Sequence, residues 1–184
     1  YICNAVRPIK NLEDMKGLKM RVPPSPIYIE TFKTWGASPT AIDWTETFVS
    51  LQQGVADGFE CPITAIGSYR FYEVQDYLTK LHYLPLVCTD SVNEDFWQSL
   101  SQEHKEVILR AKYESNKWVR GYVEWTEDKW TDILKENGME VYTLPPEEEA
   151  IWQEKAKAIW PELYEFADEE WISEFIEAVN RTKR

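Results

Sequence analysis

Histidine is nearly missing from this chain. Only His82 and His104 occur in 184 residues, so a histidine-based metal site is not expected. Cysteine is also scarce: Cys3, Cys61 and Cys88 are odd in number and widely spaced, which indicates neither a disulfide framework nor a zinc knuckle. No run of eighteen apolar residues is present to span a membrane. Positive charge is in deficit, with 20 Lys and Arg against 32 Asp and Glu and a net charge of -12. A phosphate backbone would be repelled, so no nucleic-acid partner is expected. The tail from Glu147 to Arg184 carries about half of that excess, and its plainest role is solubility. Four catalytic signatures are missing as well: a glycine-rich phosphate loop, a G-x-S-x-G elbow, an H-E-x-x-H pair and a C-x-x-C pair. An enzyme reading therefore has little chemistry behind it, and no cofactor is implied. The chain opens YICNAVRPIK, with neither an initiator methionine nor a signal-peptide pattern, and reads as a processed chain or a piece of one.

What is present is an apolar fraction of 43% with nine tryptophans, enough for a packed core in one domain or two small lobes. NLEDMKG reads as one helical turn between an Asn11 cap and Gly17. Leu18–Val22 reads as a strand stopped by Pro23 and Pro24. Ser25 followed by Pro26 reads as a capped helix start, with Ile29, Phe32 and Trp35 as its apolar stripe and Gly36 as its end. The unit then repeats. Thr40–Ile42 is a brief strand, and Asp43 with Glu46 forms a capping-box-like start. Trp44, Phe48 and Leu51 line the helix, Gly54 ends it, and Val55–Cys61 leads to a third strand. This alternation predicts an α/β fold with a largely parallel sheet.

Further on, Leu81–Thr89 is apolar and extended, with Pro85 arguing against a central strand. A very long helix is expected between a Ser101 cap and Gly138, either continuous or broken near Glu124. Glu140–Leu144 reads as a strand. Pro145 and Pro146 precede one helix, and Asp168 caps a last one containing Trp171, Phe175 and Val179.

Ligands of such sheets bind beyond the carboxyl ends of the strands. Arg21 lies one residue from its strand end, Trp44 just past the next, and Cys61 at the third. Three successive strand ends thus converge on one crevice. The Arg21 guanidinium suits a carboxylate in two parallel hydrogen bonds. A salt bridge to Asp14 or Glu30, or plain exposure, is the competing reading. Trp44 is either a wall against the ligand or a core residue of its own helix. Cys61 is a pocket-lining or core thiol sooner than a nucleophile, since no histidine adjoins it in sequence. Glu46 and Glu60 could pass for paired carboxylates, but capping accounts for Glu46.

Taken together, RPIKNLEDMKGLKMRVPPSP, GASPTAIDWTETFVSLQQGVADGFECPITAI and RFYEVQDYLTKLHY resemble the solute-binding proteins of tripartite ATP-independent periplasmic (TRAP) transporters, the C4-dicarboxylate-binding, DctP-like family. The similarity is dense from Arg7 to Tyr83 and looser beyond. The resemblance implies a periplasmic binding protein-like fold of two lobes and a non-enzymatic role. A small organic carboxylate is captured in the periplasm and delivered to the membrane subunits of a TRAP transporter. It implies that Arg21 pairs with the ligand carboxylate and that Trp44 lies over the ligand. Pro24 and Ser25 fall at loop positions that approach the ligand. Cys61 stands where many members carry a ligand-contacting asparagine. It further implies that residues 1–86 and 127–184 form the second lobe and that 87–126 make an excursion into a first lobe. The remaining N-terminal part of the same protein would then be a partner of this piece, in a monomeric protein. A cysteine- or carboxylate-dependent enzyme and an interaction domain without a small ligand are the alternatives.

Overall fold

In the computed structural model, residues 1–163 and 169–182 are described. Six strands form one sheet: β1 (Ile2–Asn4), β2 (Lys19–Val22), β3 (Ser38–Ala41), β4 (Gly58–Glu60), β5 (Tyr77–Lys80) and β6 (Glu140–Thr143). Their order is β3-β2-β4-β1-β5-β6. β2 is parallel to β3 and β4, and β5 is parallel to β6. β1 is antiparallel to both β4 and β5. Five strands therefore run one way, and all of their carboxyl ends share one edge. The α/β class follows the expectation, while β1 is an unexpected reversed strand in the middle of the sheet.

The local signals work mostly as elementary chemistry predicts. The Asn11 side chain accepts from the Glu13 amide, and Asp14 completes a capping box around the 3-10 turn Leu12–Met15. Helix α1 (Pro26–Thr34) starts with its proline at the first position, and α2 (Trp44–Gln52) follows Asp43. Two capping details differ from expectation. Neither Ser25 nor Asp43 makes a side-chain capping hydrogen bond, so the Asp43/Glu46 box does not form. At Ser25 the Pro26 ring already sets the helical φ and removes one donor, so the cap is dispensable. Gly36 closes α1 at φ 88, a left-handed conformation that glycine adopts without penalty.

Each face of the sheet has its own core. Ile2, Met20, Val22, Phe32, Trp35 and Trp152 fill one, beneath α1 and α6 (Pro146–Lys157). There the Trp35 indole donates to the Trp152 carbonyl at 3.1 Å. Cys3, Phe59, Ile66, Phe71, Leu78 and Leu134 fill the other. On that face α3 (Ile63–Ser68) packs so tightly on the long helix that a Cβ on Gly67 would lie 2.1 Å from the Trp130 ring.

A short helix α4 (Glu94–Ser99) precedes the long α5 (Gln102–Glu136). Ser101 caps α5, accepting from the His104 amide, and the helix is unbroken over 35 residues, about 50 Å. Only its last third is packed. Thr126, Thr131 and Leu134 are buried, whereas Val107, Tyr113, Trp118 and Trp125 are exposed. The segment Leu81–Thr89, expected as apolar and extended, carries no regular element; the strand lies just before it, at β5. Helices α7 (Trp160–Leu163) and α8 (Glu169–Thr182) complete the described chain. The expected Asp168 cap, and the side chains of Phe175 and Val179, lie outside what is described.

Candidate binding site at the carboxyl edge of the sheet

Arg21 sits on β2 with Thr40 of β3 on one side and Phe59 of β4 on the other. Only 3% of it is exposed. Its Nε donates to the Ile42 carbonyl at 2.9 Å, which fixes the stem of the guanidinium. Neither expected salt bridge forms. The Asp14 carboxylate accepts from the Lys10 and Asn11 amides, and Glu30 pairs with Lys33. Among the described residues no carboxylate forms an ion pair with Arg21. Burial lowers the pKa of Arg21, opposed by the fields of Glu60, Cys61, Asp43 and Tyr28. A buried arginine without an ion-pair partner is costly, and an incoming carboxylate would relieve that cost.

Trp44 is packed on one side and open on the other. It packs edge-on to Tyr69 at 5.3 Å and at a tilt to Phe71 at 5.6 Å, so it belongs to an aromatic cluster. Yet 36% of it stays exposed, and the Arg21 guanidinium lies 5.7 Å from its ring centroid. That is a cation–π distance, and it leaves indole surface facing solvent. Pro24 is exposed and Ser25 half-buried in the loop between β2 and α1.

Cys61 follows β4 directly, and its amide donates to the Tyr1 carbonyl at 3.0 Å. It is 9% exposed and belongs to the core around Phe59 and Ile63. It also lines a cavity of about 380 Å³, whose walls include Tyr28, Glu60, Tyr83, Val123 and Glu127. Arg21, Trp44, Pro24 and Ser25 are not part of that wall. The cavity and the Arg21–Trp44 pair are adjacent parts of one edge, linked through Glu60 and Cys61. Burial, reinforced by Glu60, pushes the Cys61 thiol up to about 12. A thiol that stays protonated is a poor nucleophile. Glu46 is exposed on α2 and outside the cavity wall, so the Glu46/Glu60 carboxylate pair has no shared site.

Several residues at this edge gave no signal in the sequence. Tyr83 reaches the cavity from the irregular segment after β5, and its hydroxyl, shut off from solvent, lies against the Glu60 carboxyl. Lys80 ends β5 and meets Glu127 of α5 at 3.1 Å. The Glu127 carboxylate also accepts the Tyr1 hydroxyl at 2.5 Å. Glu127 stands 47 positions from Lys80 and 126 from Tyr1, beyond the reach of any local pattern.

A sheet whose parallel strands end together at a cavity beside a buried arginine with no ion pair among the described residues has the architecture of an α/β ligand-binding site. The chain belongs to the DctP family, bacterial extracellular solute-binding protein, family 7, which residues 2–166 match. It is 29% identical over 171 residues to the C4-dicarboxylate-binding protein DctB of Bacillus subtilis, covering 92% of this chain and 49% of that protein. It is 33% identical over 144 residues to the 2,3-diketo-L-gulonate-binding periplasmic protein YiaO of Escherichia coli, covering 77% and 43%. Among solved structures, a TRAP periplasmic solute-binding protein from Desulfovibrio salexigens with bound orotic acid superposes with a TM-score of 0.83. It is 29% identical, and the match covers 98% of this chain and 59% of that one. The chain thus spans about half the length of the curated relatives it matches. The family is one of solute-binding proteins and not of enzymes. Among the described residues, no helix is long and apolar enough to cross a membrane.

Proposed function

We propose that this chain is the greater part of the ligand-closing lobe of a periplasmic solute-binding protein. That protein captures a small organic carboxylate and delivers it to the membrane subunits of a TRAP transporter. The observation that carries the reading is Arg21: it is 97% buried, fixed through Nε, and without an ion-pair partner among the described residues. The ligands of the relatives point the same way, since C4-dicarboxylates, 2,3-diketo-L-gulonate and orotic acid are all carboxylates or acids. Arg21 takes the ligand carboxylate, Trp44 offers a flat face beside it, and Cys61 contributes a neutral thiol. Pro24 and Ser25 border the approach.

Residues 1–86 and 127–184 form the second lobe in this reading, and 87–126 reach into the first. The contrast within α5 supports the division, because its apolar side chains from Val107 to Trp125 are exposed while Thr126 to Leu134 are packed. The first lobe, from the remaining N-terminal part of the same protein, covers that exposed face and supplies the other wall of the cleft. Ligand binding then closes the two walls within one monomer.

Native mass spectrometry of the full-length protein as purified tests this. The expected result is a retained small acid that is absent from Arg21→Met. Equal retention by Arg21→Met, or turnover of the retained compound, contradicts the reading.

A further inference from the structure

We propose that the cavity beside Arg21 receives an apolar ligand body. The ligand of this cleft is then a monocarboxylate carrying a hydrocarbon group about the size of a six-membered ring, and not a dicarboxylate or a sugar acid. This rests on the carboxylate-binding reading of Arg21 given above.

Much of the wall is hydrocarbon. Pro62 and Ile63 follow β4, Leu81, Leu84 and Pro85 follow β5, and Val123 comes from α5. Cys61 joins them as a thiol that stays protonated at neutral pH, in effect a small apolar group. The ionisable side chains of the wall are already engaged with the protein. The Glu60 carboxyl lies against the Tyr83 hydroxyl. Glu127 holds Tyr1 and Lys80, and the His82 ring stands 3.3 Å from the Tyr1 hydroxyl and 3.4 Å from Glu149. The Tyr28 and Thr64 hydroxyls add polarity but no charge. Among the described residues the wall carries no lysine or arginine, while Glu60 and Glu127 are both acids. A second ligand carboxylate would face those acids without a cation of its own. A polyhydroxylated body would exchange water for hydrocarbon and leave hydroxyls unpaired. An apolar body gains by leaving water and gives up no hydrogen bond. Size agrees: an apolar cavity of about 150 Å³ already takes up benzene, and this one measures about 380 Å³. Position agrees as well. Arg21 pairs in register with Phe59 on β4, and Cys61, two residues further on, lies on the cavity wall. A carboxylate on Arg21 therefore directs the rest of the ligand past Cys61 and between the hydrocarbon walls.

Competition calorimetry of the full-length protein with a series of acids tests the subsite. The probes are acetate, butyrate, 4-methylpentanoate, phenylacetate, succinate and gluconate. Affinity should rise with each buried carbon, so that 4-methylpentanoate or phenylacetate binds about tenfold or more tighter than acetate. Succinate and gluconate should both bind more weakly than that acid. Leu84 is 36% exposed, so it can be enlarged without disturbing the core. Leu84→Trp narrows the cavity and should cost the bulky acids about tenfold while leaving acetate unchanged. If Leu84→Trp fails to fold, the wild-type series still decides. Acetate binding as tightly as both bulky acids overturns the apolar subsite and leaves Arg21 intact. Succinate or gluconate binding tightest does the same. An undiminished gain in a folded Leu84→Trp puts the ligand body outside this cavity and overturns the proposal. Failure of every acid to bind overturns the Arg21 reading together with the subsite.

Discussion

Arg21 and Lys80 occupy matching places in the two halves of the sheet. Arg21 nearly ends β2 in the β3-β2-β4 half, and Lys80 ends β5 in the β1-β5-β6 half. Both are largely withdrawn from solvent, Arg21 at 3% exposed and the Lys80 side chain at 11%. Lys80 has a carboxylate at 3.1 Å, and its ammonium lies 5.7 Å from the Tyr1 ring. Arg21 has a carbonyl, an indole face and the more distant fields of Glu60 and Asp43, but no ion pair among the described residues. One half of the edge is electrostatically complete. The other carries the desolvation cost of a cation and leaves its main compensation to something outside the described chain. A cation kept for structure is paired at home, and a cation kept for recognition is left open.

The largest effect that tests this contrast is on binding. In the full-length protein, Arg21→Met should weaken binding of the co-purified acid by roughly 2–5 kcal/mol, about 30- to several-thousand-fold. The far-UV spectrum and unfolding midpoint should barely move, because no ion pair of the fold is lost. Titration calorimetry beside a melting curve measures both quantities. Lost folding with no separable binding defect would place Arg21 with Lys80, as a structural cation.

Lys80→Met should do the reverse. It strips Glu127, a partly exposed carboxylate that keeps its Tyr1 hydrogen bond, of a charged partner and should cost about 1 kcal/mol or less of stability while changing affinity little. Glu127 is held below the usual carboxylate range, first by the Tyr1 hydrogen bond and then by Lys80. A depressed carboxylate contributes stability above its unfolded pKa and loses it as pH falls through the folded value. Urea unfolding at pH 7 and pH 3 should therefore show a smaller acid loss in Lys80→Met than in the wild type. An equal loss would mean that the pair contributes nothing.

Glu60→Gln is expected to act in the opposite pH sense. Burial raises its pKa, so the protonated form favours the fold. That contribution is full below the unfolded pKa and is lost as pH rises through the folded value. The glutamine variant should be more stable at pH 7 by about 1 kcal/mol or less, and the gain should vanish at low pH. Melting curves at two pH values check it; a loss at pH 7 would make Glu60 a structural acceptor.

The smallest effect is that of Cys61→Asn. The thiol lies in the core cluster and also on the cavity wall. An amide there can turn toward the cavity, so stability should change by about 0.5 kcal/mol or less. Ligand preference should shift toward acids with a hydroxyl or keto group near the carboxylate. A thermal-shift screen reads both. A drop of roughly 1–3 kcal/mol with an unaltered ligand profile would assign Cys61 to the core alone.

The sequence shows the β2–α1–β3–α2–β4 run because its punctuation is local. Asn11, Gly17, Pro26, Gly36 and Gly54 each act within a few residues of themselves, as do Ser101 and Gly138 around α5. Arg21, Trp44 and Cys61 could be placed at strand ends for the same reason. β1 was not legible. Its three residues pair with Gly58–Glu60 and Tyr77–Thr79, and nothing near Ile2 encodes those distant partners or the reversed direction. The capping box expected at Asp43 and Glu46 does not form, since an extended residue before the helix suffices without a side-chain bond. Tyr83 and Glu127 were invisible as site residues, since a cavity wall assembled from β4, α1 and α5 has no sequence period. The partnerless state of Arg21 was likewise beyond the sequence, because Asp14 and Glu30 had first to be seen bound elsewhere.

A crystal structure of the full-length protein with its co-purified ligand tests the central claim most directly. The account predicts a ligand carboxylate in bidentate contact with the Arg21 guanidinium, beside the Trp44 ring, with Lys80 still paired to Glu127. A ligand carboxylate seated on Lys80, or Arg21 closed by a carboxylate of the protein itself, would contradict it.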